Sequence, residues 1–332
     1  MDTKIFTENQ IDDAVKLLSQ GELVAFPTET VYGLGAIATN EKSVKGVYEA
    51  KGRPSDNPLI VTVSDEKMIE TYAKNVPERA KKLIKHFWPG PLTILLHVKS
   101  GALPDAVTGG LPTVAFRCPD HKLTHDLIEK LGYPIVGPSA NTSTKPSPTT
   151  AEHVYHDLKG KIAGIIDGGE TRVGLESTII DLSVDTPIVL RPGEITPEEL
   201  SEVLGEKVLI NTGKVSDKEI PKAPGMKYRH YAPSAPVVVV DNSDDFSKID
   251  FEKSMGVMAL DSVLEKINLP NENKFSLGKN LVDADHNLFG GLRYFDDKNN
   301  IDRIFVQGFS QGQESLAYMN RLNKAAGGHH FN

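Results

Sequence analysis

The chain has 332 residues, 39% hydrophobic and 25% charged, proportions of a globular protein rather than a disordered or fibrous one. Its formal net charge of −8 argues against a surface that grips nucleic acid throughout, while leaving a local basic pocket possible. A single cysteine, Cys118, excludes an intrachain disulfide and a cysteine metal cluster.

Length fits two domains or one large one. Residues 1–20 read as a helix, with Ile5, Ile11, Ala14, Val15 and Leu18 at roughly helical spacing and Gly21 at the stop. Leu23 to Phe26 is a short buried strand ended by Pro27, and 27–35 is a loop of Thr and Gly. Residues 41–50 look helical and run into the turn-rich Lys51-Gly52-Arg53-Pro54. Strands are expected at 59–63, 92–98, 113–117 and 135–137, and helices at 66–87, 121–131 and 150–158. Two more strands, 162–167 and 177–182, flank a Gly-rich turn. This alternation predicts an α/β domain with a mixed sheet over 1–210. Residues 211–235 form a linker of Lys, Pro, Gly and Ser. Strands at 236–241, 255–260 and 304–308, with helices at 286–295 and 313–326, predict a small doubly wound α/β unit over 236–332. The negative charge divides evenly between 1–235 and 236–332, so neither half is a basic module. The apolar runs, such as Val237–Val240, are too short to span a bilayer. No basic-then-apolar leader opens the chain, so a cytoplasmic protein with no membrane partner is expected.

The common nucleotide and hydrolase fingerprints fail. There is no Walker A sequence, no third glycine after Gly33-x-Gly35, and no H-E-x-x-H or G-x-S-x-G. His121/His125 and His153/His156 have helical spacing for a metal but no evident third ligand, so they read as surface or capping residues. What remains are polar residues in loops that follow apolar strands, where open α/β sheets bind ligands. Thr28-Glu29-Thr30 could fix a small polar substrate or merely cap its loop. Lys51-Gly52-Arg53-Pro54, with Asn57 beyond, sets two cations around a glycine, suited to phosphate or to a solvated basic turn. Pro138 to Ser143 and Lys145 to Thr150 carry hydroxyls and an amide between a strand and a helix, for phosphate binding or ordinary N-capping. Thr113, Ala115 and Arg117 alternate onto one face of a strand. A buried Arg117 needs an anion, either a ligand carboxylate or a structural salt bridge. Ser177 and Thr178 open another strand, and Arg191 stands before Pro192-Gly193. The linker run Pro224 to Pro233 concentrates tyrosines, cations and His230, able to cover a nucleotide or to offer an aromatic, basic strip to RNA.

Taken together, these residues resemble the YrdC-type threonylcarbamoyl-AMP synthase family in its long form. The matching pieces are FPTETVYGLGA (26–36), YEAKGRPSDNPLIV (48–61), FWPGPLT (87–93), VAFRCPD (114–120), PSANTS (138–143), SPTTAEHV (147–154), ESTIIDL (176–182), LRPGEI (190–195) and PGMKYRHYAPSAP (224–236). NLFGGLRYFD (287–296) and RLNKAA (321–326) fit the long form's C-terminal extension. The resemblance implies a YrdC-like twisted mixed sheet with a concave cavity, plus a smaller Rossmann-like C-terminal domain. It implies that L-threonine, bicarbonate or CO2, and ATP give L-threonylcarbamoyl-AMP, pyrophosphate and water, for later transfer to tRNA by downstream threonylcarbamoyl transferase proteins.

By the same resemblance, Lys51, Arg53, Ser139 and Asn141 are the signature set, with Lys51 and Arg53 catalytic. ATP would be held by Lys51, Arg53, Asn57, Thr113, Asn141, Thr149, Arg191 and Tyr231, with His230 and Tyr231 folding over it from the linker. L-Threonine would be held by Thr30, Thr62, Arg117, Ser139 and Ser177, with Arg117 on its carboxylate. Mg2+ is expected with ATP, carried mostly by phosphate and water, and no structural metal. Thr62 stands where some relatives carry His, and Thr144-Lys145 where many place Gly. The rivals are an RNA-binding module, for which weak RNA binding stays open, and a hydrogenase-maturation carbamoyltransferase, whose zinc finger one cysteine cannot supply.

Overall fold

The computed structural model describes residues 2–55, 57–211, 221–223, 230–298, 300–310 and 312–331. The chain divides into two compact units. The first is Met1–Ser143, Pro148–Arg172 and Glu176–Lys227; the second is Thr144–Ser147, Val173–Leu175 and Tyr228–Asn332.

The first unit carries β1 (Lys4–Phe6), β2 (Val24–Phe26), β3 (Gly33–Ile37), β4 (Ile60–Thr62), β5 (Leu92–His97) and β6 (Thr113–Arg117). It continues with β7 (Ile135–Val136), β8 (Gly164–Ile166), β9 (Thr178–Asp181), β10 (Ile188–Arg191) and β11 (Leu209–Ile210). They form one sheet in the order β1-β8-β2-β3-β7-β4-β6-β5-β9-β10-β11. Parallel pairs such as β4/β6 and β5/β9 are interleaved with antiparallel pairs such as β4/β7 and β5/β6, so the sheet is mixed.

Alternation gives each strand two faces. One face is covered along most of the sheet. Val61, Ile94, Leu96, Val114, Phe116 and Ile180 pack there against Val44 and Val47 of helix Glu41–Lys51 and Leu83 of helix Glu78–Phe87. The other face is divided. Phe6, Val24, Phe26 and Ile166 lie under helices Ile11–Ser19 and Lys122–Leu131, through Leu18, Leu127 and Ile128. Over β4, β6, β5 and β9 that face instead carries a small cluster of Ile60, Leu95, Ala115 and Ile179, completed by Ala223. The next residue back, Lys222, reaches the buried Asp181 at 3.0 Å.

The second unit is a parallel sheet of β12 (Val237–Val240), β13 (Met255–Ala259), β14 (Lys274–Ser276) and β15 (Arg303–Gln307), ordered β12-β15-β13-β14. Helices Leu281–Asp296 and Leu316–Ala326 accompany it. Buried Arg293 donates to the Pro146 carbonyl at 2.6 Å, and Lys145 pairs with Asp296 at 2.8 Å. These bonds explain why Thr144–Ser147 groups with the second unit despite its place in the chain. No helix among the described residues is long and apolar enough to cross a membrane.

Several elements depart from sequence expectation. The opening helix is preceded by β1, an edge strand whose partner β8 lies far along the chain. The helix expected over 66–87 is two, Glu66–Tyr72 and Glu78–Phe87, because Pro77 removes an amide donor and starts the second. The stretch expected as loop contains β3. Its Gly33 and Gly35 lie under the Phe26 ring, where a Cβ on Gly33 would come within 2.5 Å of Cζ. Strand Ile188–Arg191, helix Pro197–Leu204 and strand Lys274–Ser276 were not expected.

Phe116, fully buried in β6, anchors the covered face. Phe116→Ala should lower unfolding free energy by about 3–5 kcal/mol, read as a shifted urea midpoint with unchanged slope.

Candidate functional site

The half-face without a helix is where the polar residues converge. Thr62 of β4 is in register with Arg117 of β6, and Arg117 with Thr93 of β5. Alternation points all three away from the Phe116 side. Ser177, just before β9, continues the row: its Oγ lies 2.8 Å from the Thr93 hydroxyl. Arg191 at the end of β10 closes it, donating from Nε to the Ser177 carbonyl at 3.0 Å and from Nη2 to Ser177 Oγ at 3.1 Å. Gly193 makes that approach possible. A Cβ there would meet Thr178 N at 2.4 Å and Ser177 C at 2.7 Å.

A second group borders the row through the loop after β7. Gly137 is packed so closely that a Cβ would fall 2.5 Å from Thr62 Oγ1. Ser139 and Asn141 follow within four residues. Lys51, at the end of its helix and only 3% exposed, donates Nζ to the Ser139 carbonyl and, at 2.7 Å, to the Asn141 carbonyl. The Ser143 amide donates back to the Lys51 carbonyl at 2.8 Å. Gly52 ends the helix in the left-handed region at φ 61, which suits glycine, and turns the chain toward Arg53. Arg53 is half-buried, with Nη2 3.5 Å from the Pro58 carbonyl. Asn57 is fully buried, and neither atom of its amide has a partner among the described residues. A buried amide left unpaired costs about 1–3 kcal/mol, a cost a hydrogen-bonding ligand would remove.

The loop after β2 supplies the third group. The Thr28 hydroxyl donates to the Val31 carbonyl at 2.6 Å and lies 3.0 Å from that of Thr30, fixing a tight polar turn. Glu29 is 3% exposed and pairs with Arg117 Nη2 through Oε2 at 2.7 Å. Tyr32 ties the loops together: its amide donates to Pro148 O at 2.9 Å, and its carbonyl accepts from Ala140 N at 2.8 Å. Its hydroxyl donates to Gly169 O at 2.7 Å. Burial pushes that phenol's pKa well up, so it stays protonated and holds the bond. Burial likewise pushes Cys118 up to about 12, aided by the Glu29 charge; its thiol donates to Ser64 O at 3.3 Å and is no nucleophile. Burial pushes His121 down, so it is neutral.

Of the expected site residues, the structure therefore brings Lys51, Ser139 and Asn141 together by hydrogen bonds, and Thr62, Arg117, Ser177 and Arg191 by register and hydrogen bonds. Thr113 stands on the Arg117 face four residues along β6. Thr149, 1% exposed, has its hydroxyl 3.3 Å from His153 Nδ1. Tyr231 belongs to the second unit, where its ring centroid is 5.0 Å from that of Phe289 and the Arg321 guanidinium is 6.0 Å away. It holds φ 65, uncommon for a bulky residue. His230 stacks beside it at 5.6 Å. The rest of the aromatic linker run, 224–229, lies outside the described residues. No three of His, Cys, Asp or Glu converge as a metal site among the described residues; His125 instead bonds Pro119 O at 2.7 Å, and His156 pairs with Asp157 at 3.0 Å.

Comparison with known proteins settles the family. The model for the Sua5_yciO_yrdC family, described as telomere recombination, matches residues 16–193. The model for the threonylcarbamoyl-AMP synthase C-terminal domain matches 195–327. A Bacillus subtilis protein named threonylcarbamoyl-AMP synthase is 46% identical, over 96% of this chain and 93% of its own. The chain belongs to the threonylcarbamoyl-AMP synthase family. The crystal structure of Pyrococcus abyssi Sua5 with L-threonine superposes with a TM-score of 0.91 at 45% identity, covering 99% of both chains. Escherichia coli YciO, 24% identical, shares the fold over 57% of this chain and 96% of its own, with a TM-score of 0.52.

Two residues of this constellation do not stand out in the sequence: Thr93, whose phase along β5 puts it beside Arg117, and Glu29, an acidic residue buried between two threonines. Gly193→Ala should cost about 1–3 kcal/mol of stability through backbone overpacking against Ser177 and Thr178, measurable by urea unfolding.

Proposed function

We propose that this chain joins L-threonine, bicarbonate or CO2, and ATP into L-threonylcarbamoyl-AMP, releasing pyrophosphate. The observation that carries the reading is the convergence of cations and hydroxyls on one half-face of the sheet, in a chain of net charge −8. The chemistry demands that concentration. Threonine's amine is converted to a carbamate, whose oxygen attacks the α-phosphorus of ATP as pyrophosphate leaves. Both partners are anions, so cations have to offset their repulsion and hold them in line. Arg117 offers a planar fork for the threonine carboxylate, with Thr30, Thr62, Ser139 and Ser177 as hydroxyl partners. Lys51, Arg53 and Arg191 neutralise the triphosphate, with Asn57, Thr113, Asn141 and Thr149 orienting the nucleotide. Fixed positive charge and geometry then do the work, with no covalent intermediate.

Mg2+ bound to the triphosphate would neutralise further charge. The donor set suits this: with no convergent carboxylates among the described residues, the ion would be held by phosphate oxygens and water. The labile adenylate would pass to tRNA-modifying transferases in the cytoplasm.

The purified protein should release pyrophosphate only when ATP, L-threonine and bicarbonate are all present. Tight RNA binding with no threonine-dependent pyrophosphate would overturn the reading. Arg53→Ala should lower turnover by roughly a hundredfold, as for one lost charge-stabilising donor, with little change in melting temperature because the side chain is only half-buried. Lys51→Ala should lose turnover as steeply and also destabilise the fold by about 1–3 kcal/mol, because two loop carbonyls lose their donor. Near-normal turnover in both would contradict the roles assigned.

A further inference from the structure

We infer that Glu29 is the residue that recognises the α-ammonium of the amino-acid substrate, acting with Arg117 as a single receptor for a zwitterion. The inference rests on the functional reading above and concerns a residue to which that reading gives no role.

Glu29 and Arg117 are 3% and 7% exposed and joined by one bond only, Oε2 to Nη2 at 2.7 Å. Each keeps one buried polar atom without a partner among the described residues: Oε1 of Glu29, an acceptor, and Nε of Arg117, a donor. A buried ion pair is stable when its remaining lone pairs and protons are satisfied. A structural salt bridge would satisfy them from within the protein, commonly by a two-bonded fork. This pair is instead left with one unmet acceptor on its anion and one unmet donor on its cation.

An α-amino acid at neutral pH is the complementary shape. Its carboxylate and ammonium are two bonds apart, an acceptor and a donor of opposite charge on neighbouring atoms. Laid against the pair, the carboxylate receives from Arg117 and the ammonium donates to Glu29 Oε1. The four charges then alternate in sign, so none is buried uncompensated. The surroundings fit a small amino acid. Thr30 follows Glu29, Thr62 and Thr93 flank Arg117 in register, and Ser177 bonds Thr93. His121 feels the Glu29 charge, but burial outweighs it and keeps the ring neutral, so it does not compete as a cation. The consequence is selectivity: the site takes amino acids and rejects hydroxy acids of the same shape, and it holds the nitrogen where the carbamate is to form.

The test is calorimetric titration of the full chain with L-threonine and with its hydroxy-acid analogue, in which OH replaces the amine. Wild type should bind threonine at least about tenfold more tightly than the analogue, the size expected for one buried charged contact. In Glu29→Gln that gap should close to about threefold or less, by loss of threonine affinity, while ATP affinity stays within about twofold. A variant that still separates the two ligands tenfold overturns the inference and leaves the threonine reading standing. Wild type binding both ligands alike overturns it too, without need of a folded variant. Absence of any threonine binding by wild type would overturn the functional reading and this role with it.

Discussion

A sheet has two faces to cover, and among the described residues of the first unit the helices cover one face and part of the other. The apolar phase of β4, β5, β6 and β9 is spent on one side, against helices Glu41–Lys51 and Glu78–Phe87. On the other side helices Ile11–Ser19 and Lys122–Leu131 protect the β1–β8–β2 end. The remaining stretch has to be made of residues that tolerate burial without a helix above them. Apolar residues, Ile60, Ala115 and Leu95, fill one row. The adjacent row is polar: Thr62, Arg117 and Thr93 stand in register, and the Thr93 and Ser177 hydroxyls share a hydrogen bond. The site is thus a consequence of how the sheet is covered, and its rigidity comes from lying on strands rather than on loops alone.

Charge follows the same division. The chain is acidic overall, yet Lys51, Arg117 and Arg191 are each less than a tenth exposed and within reach of this half-face. Burying cations is costly unless they are bonded, and here the bonds double as scaffolding: Lys51 fastens the loop after β7, and Arg191 fastens the approach to β9. On the proposed reading, anionic substrates would meet cations already oriented, with little reorganisation left to perform during reaction. In the second unit, the helices Leu281–Asp296 and Leu316–Ala326 each carry a buried basic residue, Arg293 and Arg321. Arg293 is fixed by carbonyls of 146 and 147.

Much of this was legible in the sequence, for identifiable reasons. Thr113–Arg117 reads as a strand because its alternation is clean and its length ordinary, and its bounds match the structure. The loops that follow strands stand out because Thr, Ser, Asn and cations gather where apolar runs stop. Other elements hid behind local rules. Gly33-Leu34-Gly35 looks like a turn, yet forms a strand because the Phe26 ring occupies the space that side chains would need. The strand Lys4–Phe6 is too short to announce itself and exists only through its distant partner β8. The helix Pro197–Leu204 carries a local signal in its sequence, a capping box of Thr196 and Glu199 with proline at its start. The grouping of 144–147 with the second unit depends on Arg293 and Asp296, a long-range pairing that no local pattern encodes.

The most direct trial of the account is a crystal structure of the full chain grown with L-threonine and a non-hydrolysable ATP analogue. The account predicts threonine density with its carboxylate on Arg117, and triphosphate density along Lys51, Arg53 and Arg191, the two meeting on the half-face of β4, β6 and β5. Density for either ligand elsewhere, with that half-face still closed on its own side chains, would contradict it.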